Sequence, residues 1–333
     1  MIRRRLAIVV AGFGSFLLLV CALAPLAGST HVSLTRAFDR SIPFADNVDA
    51  QIFFIARLPR VVGAALVGAG LATAGVVFQA LLRNPLAAPE TLGVSYGASV
   101  GAMIAITLLP GTSIAGISTV PLAAFAGSLG ALAIVYALSR ARSRGMSSTV
   151  LLLGGVVLTT FLGAIVNFIQ YLADFTQTFR TVRWLMGSLD VGSYGPIVAA
   201  LVPLALAGVG YATLPRTLDL VTLGPDAASA RGVDVARAER LALVSASLST
   251  GAAVSLGGPI GFVGIVVPHL VRMMVGTDHR LVLPGAALFG AAFLIACDLG
   301  ARTAFAPVEL PVGIVTAIIG GPVFLWLLLR RVR

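Results

Sequence analysis

Long apolar runs alternate with short polar stretches along almost the whole chain. A helix of about 20 apolar residues crosses the ~30 Å hydrocarbon core of a bilayer, and ten segments approach that length. The ten segments are residues 6–27, 61–82, 93–109, 114–138, 149–172, 195–214, 241–256, 260–277, 281–299 and 310–329. Gly-Gly-Pro at 257–259 separates the seventh segment from the eighth, because these residues end helices. The pattern predicts an all-α polytopic membrane protein with a single transmembrane domain over residues 1–333.

The arginines are distributed unevenly between the two ends of the predicted spans. Sixteen of the 23 lie on the side of the chain termini, and seven lie on the opposite side. Because cytoplasmic loops retain basic residues, this predicts a multi-pass membrane protein with both termini in the cytoplasm. The first apolar run is longer than a signal-peptide core, so we expect it to remain as a helix. The longer loops are then residues 28–60 outside and 215–240 inside.

Composition narrows the range of functions. Apolar residues make up 58% of the chain and charged residues 11%, so a soluble fold of this size could not cover itself with polar groups. This excludes a cytosolic enzyme, a disordered chain and a disulfide scaffold. The chain contains no lysine, and therefore neither a Walker A phosphate loop nor a Schiff-base residue. The net charge of +10 comes from arginines dispersed among apolar spans, which argues against nucleic-acid binding.

Ionisable side chains are rare within the predicted spans. His269 and Arg272 lie in the eighth span, and Asp298 lies near the end of the ninth. An ion-coupled secondary carrier usually needs buried carboxylates, and the first seven spans contain no acidic residue before the last turn. A membrane-embedded enzyme needs clustered acids or histidines, but His31, His269 and His279 lie in different segments. We therefore expect no metal site and no cofactor, and we expect another subunit to supply the energy.

Glycine and proline residues recur at related positions. Gly93, Gly97 and Gly101 follow one another every four residues, which puts them on one face of the third span and predicts close helix packing. Breaks at residues 84–89 and 257–259 follow similar small-residue stretches in spans that run in opposite directions. An inverted repeat of this kind is typical of transporters, in which the pathway lies between the two halves.

The inner loop has the most specific local pattern. Pro225 can open a helix, Asp226 suits its positive first turn, and Gly232 can end it. The sequence therefore predicts a short helix on the cytoplasmic side. This helix is either an ordinary connection between two spans or a docking element for a soluble motor, where the small Ala227 and Ala228 side chains allow close seating.

Motifs along nearly the whole chain resemble those of the iron-siderophore and cobalamin permease family, the membrane subunits of type II ABC importers. In chain order they are Arg57-Leu-Pro-Arg60, Gly68-Ala-Gly70, Gln79 with Arg83-Asn-Pro-Leu86 and Pro89, Leu92-Gly-Val-Ser-Tyr-Gly-Ala98, Trp184-Leu-Met-Gly-Ser-Leu189, Gly258-Pro-Ile-Gly-Phe-Val-Gly264, Val267-Pro-His-Leu270, Thr277-Asp-His-Arg280 and Leu310-Pro-Val-Gly-Ile-Val-Thr316. Asp226-Ala227-Ala228 followed by Gly232 also matches the acidic-Ala-Ala-x-x-x-Gly pattern of ABC importer subunits. Each motif alone is weak, whereas their common order makes the resemblance specific.

The resemblance implies a ten-span subunit of the bacterial inner membrane, with the inverted-repeat fold of type II ABC importers and no catalytic site. Its implied partners are a second permease copy or paralogue, two ATP-binding cassette ATPase subunits, membrane lipid, and a periplasmic or lipid-anchored substrate-binding protein. The ATPase-coupling loop lies within residues 216–236, at Asp226, Ala227, Ala228 and Gly232. The implied cargo is a ferric siderophore or another iron complex, with haem possible. Cobalamin is the alternative, and an ion-coupled secondary carrier is a remote one.

The resemblance also assigns surface and gate residues. The arginines that meet carboxylates of the binding protein map onto Arg57, Arg60 and Arg302; the alternative for the first two is interfacial anchoring of their span. The cytoplasmic gate maps onto Asn84, Leu86, Ser148 and Thr149, with helix capping as the alternative role for Ser148. His269 lies in a motif shared by permeases of different ligands, so we expect it to be structural.

Overall fold

A computed structural model describes residues 2–28, 30–114, 116–141 and 148–331 of the protein. Within these ranges, seven helices are long and apolar enough to cross a membrane, and three shorter apolar helices accompany them. These ten helices correspond to the ten apolar segments of the sequence, which confirms the prediction of an all-α polytopic fold. The helix break predicted at residues 257–259 is also present.

The helices and strands are α1 Ile2–Leu23, α2 Leu34–Ala37, α3 Val48–Gln51, α4 Leu58–Leu81, α5 Val94–Leu108, β1 Ser113–Ile114, β2 Ile117–Ser118, α6 Thr119–Ala141, α7 Ser148–Leu172, α8 Phe175–Leu185, α9 Tyr194–Thr213, α10 Pro215–Val221, α11 Pro225–Ser229, α12 Val235–Gly257, α13 Val263–Val275, α14 His279–Thr303 and α15 Val312–Arg331. A π-helical turn, Ile52–Arg57, joins α3 to α4 in one continuous helix of 34 residues. A short 3-10 turn, Pro89–Leu92, precedes α5. The two strands form an antiparallel hairpin.

The second span begins earlier than the apolar pattern predicts. Its helix starts at Val48, whereas the apolar segment starts at residue 61. Asn47 caps this start by accepting a hydrogen bond from a backbone N–H at 3.0 Å. Arg57 and Arg60 interrupt the apolar run in the sequence, but internal partners satisfy both side chains, so the helix continues through them. The outer loop therefore ends before Val48 and is shorter than the predicted range of residues 28–60.

Helix α4 occupies the centre of the bundle. It packs against α12, α13 and α14, and α1 lies on the outside of α14. A Cβ atom at Gly68 would lie 2.2 Å from the carbonyl oxygen of Gly290, and one at Gly75 would lie 2.0 Å from that of Gly264. Backbones therefore touch at both crossings, and only glycine fits there.

The glycine face of the third span packs as predicted. A Cβ atom at Gly97 would lie 2.4 Å from the carbonyl oxygen of Gly127 in α6, and one at Gly101 would lie 2.0 Å from that of Ala123. Gly93 has a different role, because it precedes α5 with φ +79, a left-handed conformation that glycine adopts without strain. The predicted close packing is thus confirmed at two of the three positions.

The bundle has two ends, which we call the terminal face and the far face. The terminal face is where α1 begins, and there Arg5 donates a hydrogen bond to the carbonyl oxygen of Val275 at 3.1 Å. Helix α10 lies at the same face, because Asp219 contacts His279 at the start of α14. The far face is where α1 ends, beside the last turn of α14.

Candidate functional site

The inner-loop segment lies on the terminal face. Helices α10 and α11 connect α9 to α12, and α11 begins at Pro225 as the pattern predicts. Asp226 is exposed in the first turn of α11. The helix ends at Ser229, and Gly232 follows in the left-handed region at φ +79, which favours glycine. The segment is therefore a short helix followed by a tight turn.

Ala228 points into the protein. Its side chain has no exposed surface, so its small size allows α11 to pack on its own chain. Ala227 is half-buried. The exposed residues of α11 and the turn that follows are Pro225, Asp226, Ser229, Ala230, Arg231 and Gly232. Ala228 therefore offers no surface of its own to a partner here, and its place in the ATPase-coupling loop stays a prediction.

A polar anchor joins this segment to α14. One carboxylate oxygen of Asp219 lies 2.6 Å from Nδ1 of His279 and accepts the backbone N–H of the same residue at 3.1 Å. His279 is buried, so these contacts fix α10 against the N-terminus of α14. Asp278 caps the same helix. A hydrogen bond from the Arg280 side chain holds the pKa of the Asp278 carboxyl below its ordinary value.

A groove of about 570 Å³ opens beside this anchor. Its lining includes Arg83, Asn84, Asp219, Arg272 and His279. The groove therefore lies between the inner-loop segment and the end of α4, where the sequence places part of the gate.

The predicted gate residues lie on two elements of the terminal face. Oδ1 of Asn84 accepts the backbone N–H of Leu86 at 2.9 Å, which stabilises the turn after α4. The Leu86 side chain is 42% exposed, and Thr149 is exposed in the first turn of α7. Helix α7 begins at Ser148, whose side chain lies outside the described part of the structure.

Two of the three predicted docking arginines are buried at the far face. Arg57 is 5% exposed and donates hydrogen bonds to carbonyl oxygens of the segment after α1, among them that of Pro25 at 2.8 Å. Arg302 is 3% exposed and donates to the carbonyl oxygen of Ala24 at 3.1 Å. Both guanidinium groups therefore hold the segment that follows α1. Contact with an outside partner would require that segment to move.

Arg60 lies closer to the surface, in a cluster with two carboxylates. Its Nε lies 2.9 Å from Oδ1 of Asp298, and its Nη1 lies 2.6 Å from Oε2 of Glu309. Asp298 is buried and also faces Nε of Arg302 at 3.0 Å, an ion pair without hydrogen-bond geometry. The Glu309 side chain is 42% exposed. The sequence does not assign Glu309 to this cluster, since it lies 249 positions from Arg60.

Two interrupted helices begin at one point inside the bundle. Helix α5 has 15 residues and α13 has 13, so they are about 22 and 20 Å long, shorter than the ~30 Å hydrocarbon core. They leave this point in opposite directions, α5 toward the far face and α13 toward the terminal face. Their N-cap residues, Gly93 and Phe262, are both left-handed, at φ +79 and +68. The two halves thus repeat one local geometry in opposite orientations.

Glu90 connects the two interruptions. Its Oε1 accepts the backbone N–H of Phe262 at 3.3 Å. Pro89 packs on Gly264, which in turn touches Gly75 in the interior of α4. Glu90 therefore lies inside the bundle at the depth of the membrane. The sequence places it in a loop, because the apolar pattern does not show that the chain turns back toward the centre after α4.

Comparison with known proteins agrees with this architecture. The FecCD transport family matches residues 16–330. The chain belongs to the FecCD transport family. The family resemblance seen in the sequence is thereby confirmed, and the protein is a permease subunit of an ABC importer. Family membership implies ATPase and substrate-binding partners and a dimeric arrangement.

Relatives within the FecCD family differ in the cargo that their names give. An uncharacterised ABC transporter permease of Bacillus subtilis is 41% identical, over 99% of this chain and 95% of its own length. The cobalamin import permease of Halobacterium salinarum is 43% identical, over 90% of this chain and 79% of its own length. The hemin transport permease of Yersinia pestis is 39% identical, over 95% of this chain and 95% of its own length. A solved metal-chelate type ABC transporter in an inward-facing conformation has a TM-score of 0.83 and 31% identity, and the alignment covers 96% and 98% of the two chains.

Proposed function

We propose that the chain forms the transmembrane path of an importer for a metal chelate in the bacterial inner membrane, and that this chelate is a ferric siderophore or another iron complex such as haem. The likeness to a metal-chelate type transporter, at 96% coverage of this chain, supports the chelate class. The hemin transport relative supports iron. Cobalamin is the second candidate, supported by the relative at 43% identity.

The cargo is tested by uptake into proteoliposomes that contain the permease, its ATPase subunits and its binding protein. We expect ATP-dependent accumulation of a labelled ferric siderophore or of haem, and no accumulation of labelled cobalamin. Accumulation of cobalamin alone would show that the cargo is cobalamin and not an iron complex. Uptake driven by a proton or sodium gradient without ATP would contradict an ABC importer.

Transport follows from a division of labour between subunits. The permease carries no catalytic site and needs only two stable arrangements, open to opposite sides. ATP binding closes the two ATPase subunits, the inner-loop segment moves with them, and the two permease copies tilt. Both chain termini and the inner-loop segment lie on the cytoplasmic side. Leu86 and Thr149, two exposed members of the proposed gate, narrow the path at that side.

The ATPase subunits dock on the exposed side of α11 and the turn that follows. Ala230 is exposed there, and its small side chain permits close contact. Ala230→Arg places a bulky charge in that contact, and burial of an unpaired charge costs several kcal/mol, enough to abolish most complex formation. We expect a protein that inserts and purifies normally but no longer co-purifies with its ATPase subunits, and uptake should be lost with them.

Ala230→Ser is the matched control, since it adds one hydroxyl group at the same position and should leave the complex intact. Ala228→Arg is a different perturbation, because that side chain packs inward and its replacement would also distort α11. Normal ATPase co-purification by the Ala230→Arg protein would contradict docking on this segment.

The binding protein docks on the far face, which is then the periplasmic side. Arg60 is the arginine of the predicted set with an ion-pair partner at the surface, Glu309, and it is best placed to meet a carboxylate of the binding protein. Arg57 and Arg302 act by fixing the segment after α1. Charge pairs at such a rim mainly set the rate and the orientation of encounter.

A further inference from the structure

Helices α5 and α13 begin at one point in the bundle, formed by residues 89–93 and 258–263. The proposed transport mechanism assigns no role to these residues. We call these residues the junction. Non-helical backbone at membrane depth persists only where protein buries it or where it lines a water-filled cavity. In transporters, interrupted helices whose ends meet near the middle of the membrane form the substrate site.

Glu90 places a carboxylate in this junction. The residue is partly exposed, and its Oε1 contacts the backbone N–H of Phe262. A charged side chain that faces lipid at this depth is strongly unfavourable, so ionisable groups in membrane proteins face cavities or partners. Helix α13 begins at this contact, so its positive dipole end faces the carboxylate.

Helices α7 and α15 flank the junction. Gly155 of α7 contacts the backbone of Thr91, and Gly320 of α15 contacts the Phe262 side chain. Gly261 is partly exposed, and a Cβ atom there would meet no described atom within 4 Å. Space is therefore open at Gly261, whose neighbour Phe262 carries the backbone N–H that Glu90 accepts.

Phe262 lies in the same junction and has a strained backbone. Its φ is +68, in the left-handed region, where a residue with a bulky side chain is strained. Its side chain is held in this position by Gly320, which has no Cβ that would collide with the ring. Strain of this kind persists where the surrounding structure fixes it, and it clusters at binding sites.

We propose that the junction contacts cargo during transport and that Glu90 makes it selective for cargo that presents positive charge or hydrogen-bond donors. The path then favours cationic or neutral chelates over anionic ones. The inference deepens the proposed function and rests on it, since it assumes that cargo passes through this subunit. It assigns a role to a carboxylate that the sequence places in an ordinary loop.

The test measures the electric potential at the junction with charged thiol reagents. Gly261→Cys introduces a reporter into open space, in a background where Cys21 and Cys297 are replaced by alanine. The permease–ATPase complex in native membranes is treated separately with cationic trimethylammonium-ethyl and anionic sulfonatoethyl methanethiosulfonate. Leu18→Cys is the control, since that residue is 72% exposed on the peripheral helix α1, where we expect lipid to cover it.

We expect the introduced thiol at the junction to react with both reagents and the control thiol to react with neither. A unit charge several ångströms away in water changes the relative rates of oppositely charged reagents roughly five-fold. Glu90→Gln, which keeps the acceptor for Phe262, should therefore lower the ratio of cationic to anionic rates by about that factor.

Two results would overturn the proposal. If the Gly261→Cys thiol is as unreactive as the control, the junction does not face water. If it reacts but Glu90→Gln leaves the ratio of rates unchanged, the carboxylate does not control the charge of the path. Thr91→Cys is a second reporter in case the first variant does not fold. ATPase co-purification and uptake in the same membranes report separately whether the proposed importer function holds.

Discussion

Asp298 connects two arginines of the far face, and its removal tests whether buried charge pairs hold this end of the bundle together. Its carboxylate has no exposed surface and faces Arg60 at 2.9 Å and Arg302 at 3.0 Å. Asp298→Asn keeps the shape of the side chain but removes the charge. Two arginines then lie around a neutral amide in a region of low dielectric constant.

The size of the effect follows from burial. Removing one partner of a buried ion pair costs ~3–5 kcal/mol, because the remaining charge is uncompensated. Arg302 keeps its hydrogen bonds to backbone carbonyl oxygens, and Arg60 keeps Glu309, so we expect the lower end of that range. Glu309→Gln also removes one negative charge that pairs with Arg60, but the Glu309 side chain is partly exposed. Exposed ion pairs contribute ~1 kcal/mol or less to stability.

Cys297 provides the assay. This thiol neighbours Asp298 and is 4% exposed, so a thiol-reactive fluorescent dye reports when this region unfolds. In a Cys21→Ala background, the Asp298→Asn protein in detergent should unfold at a clearly lower temperature than the Glu309→Gln protein. Glu309→Gln should stay close to the unsubstituted chain. Equal unfolding temperatures for the two variants would refute the reasoning that burial makes Asp298 the more important carboxylate.

Two further predictions concern helix contact and capping. Gly101→Ala would bring a Cβ atom to 2.0 Å from a backbone oxygen of α6 and should destabilise the protein by ~1–3 kcal/mol in thermal unfolding. Gly130→Ala, where a Cβ meets no described atom within 4 Å, should be neutral or stabilising. The lowered pKa of Asp278 means that its charged form stabilises the fold above its ordinary value of 3.8, and that this contribution is lost as the pH falls through the folded pKa. The difference in stability between the unsubstituted chain and Asp278→Asn should therefore be full at pH 7 and narrow in acid; a difference independent of pH would contradict this.

Much of the architecture is determined by local sequence. In lipid, each spanning segment must satisfy its own backbone hydrogen bonds, so apolar length alone predicts ten helices and residues 257–259 predict where one ends. The spacing of Gly97 and Gly101 predicts close packing, because only a missing Cβ atom allows backbones to touch. The start of α11 at Pro225 is also predictable from local sequence, because the preference for proline at the start of a helix depends only on neighbouring residues.

The depth and burial of the polar residues were decided by tertiary structure alone. The sequence places Glu90 in a loop, Arg57 and Arg302 on an outer surface, and Ala228 on a contact surface. The structure brings Glu90 to a backbone N–H 172 positions away and Arg60 to a carboxylate 238 positions away, and it turns Ala228 inward. Apolar length counts residues along one helix and carries no information about which distant group will meet a charge. In a membrane protein that pairing determines whether a charged side chain can remain inside.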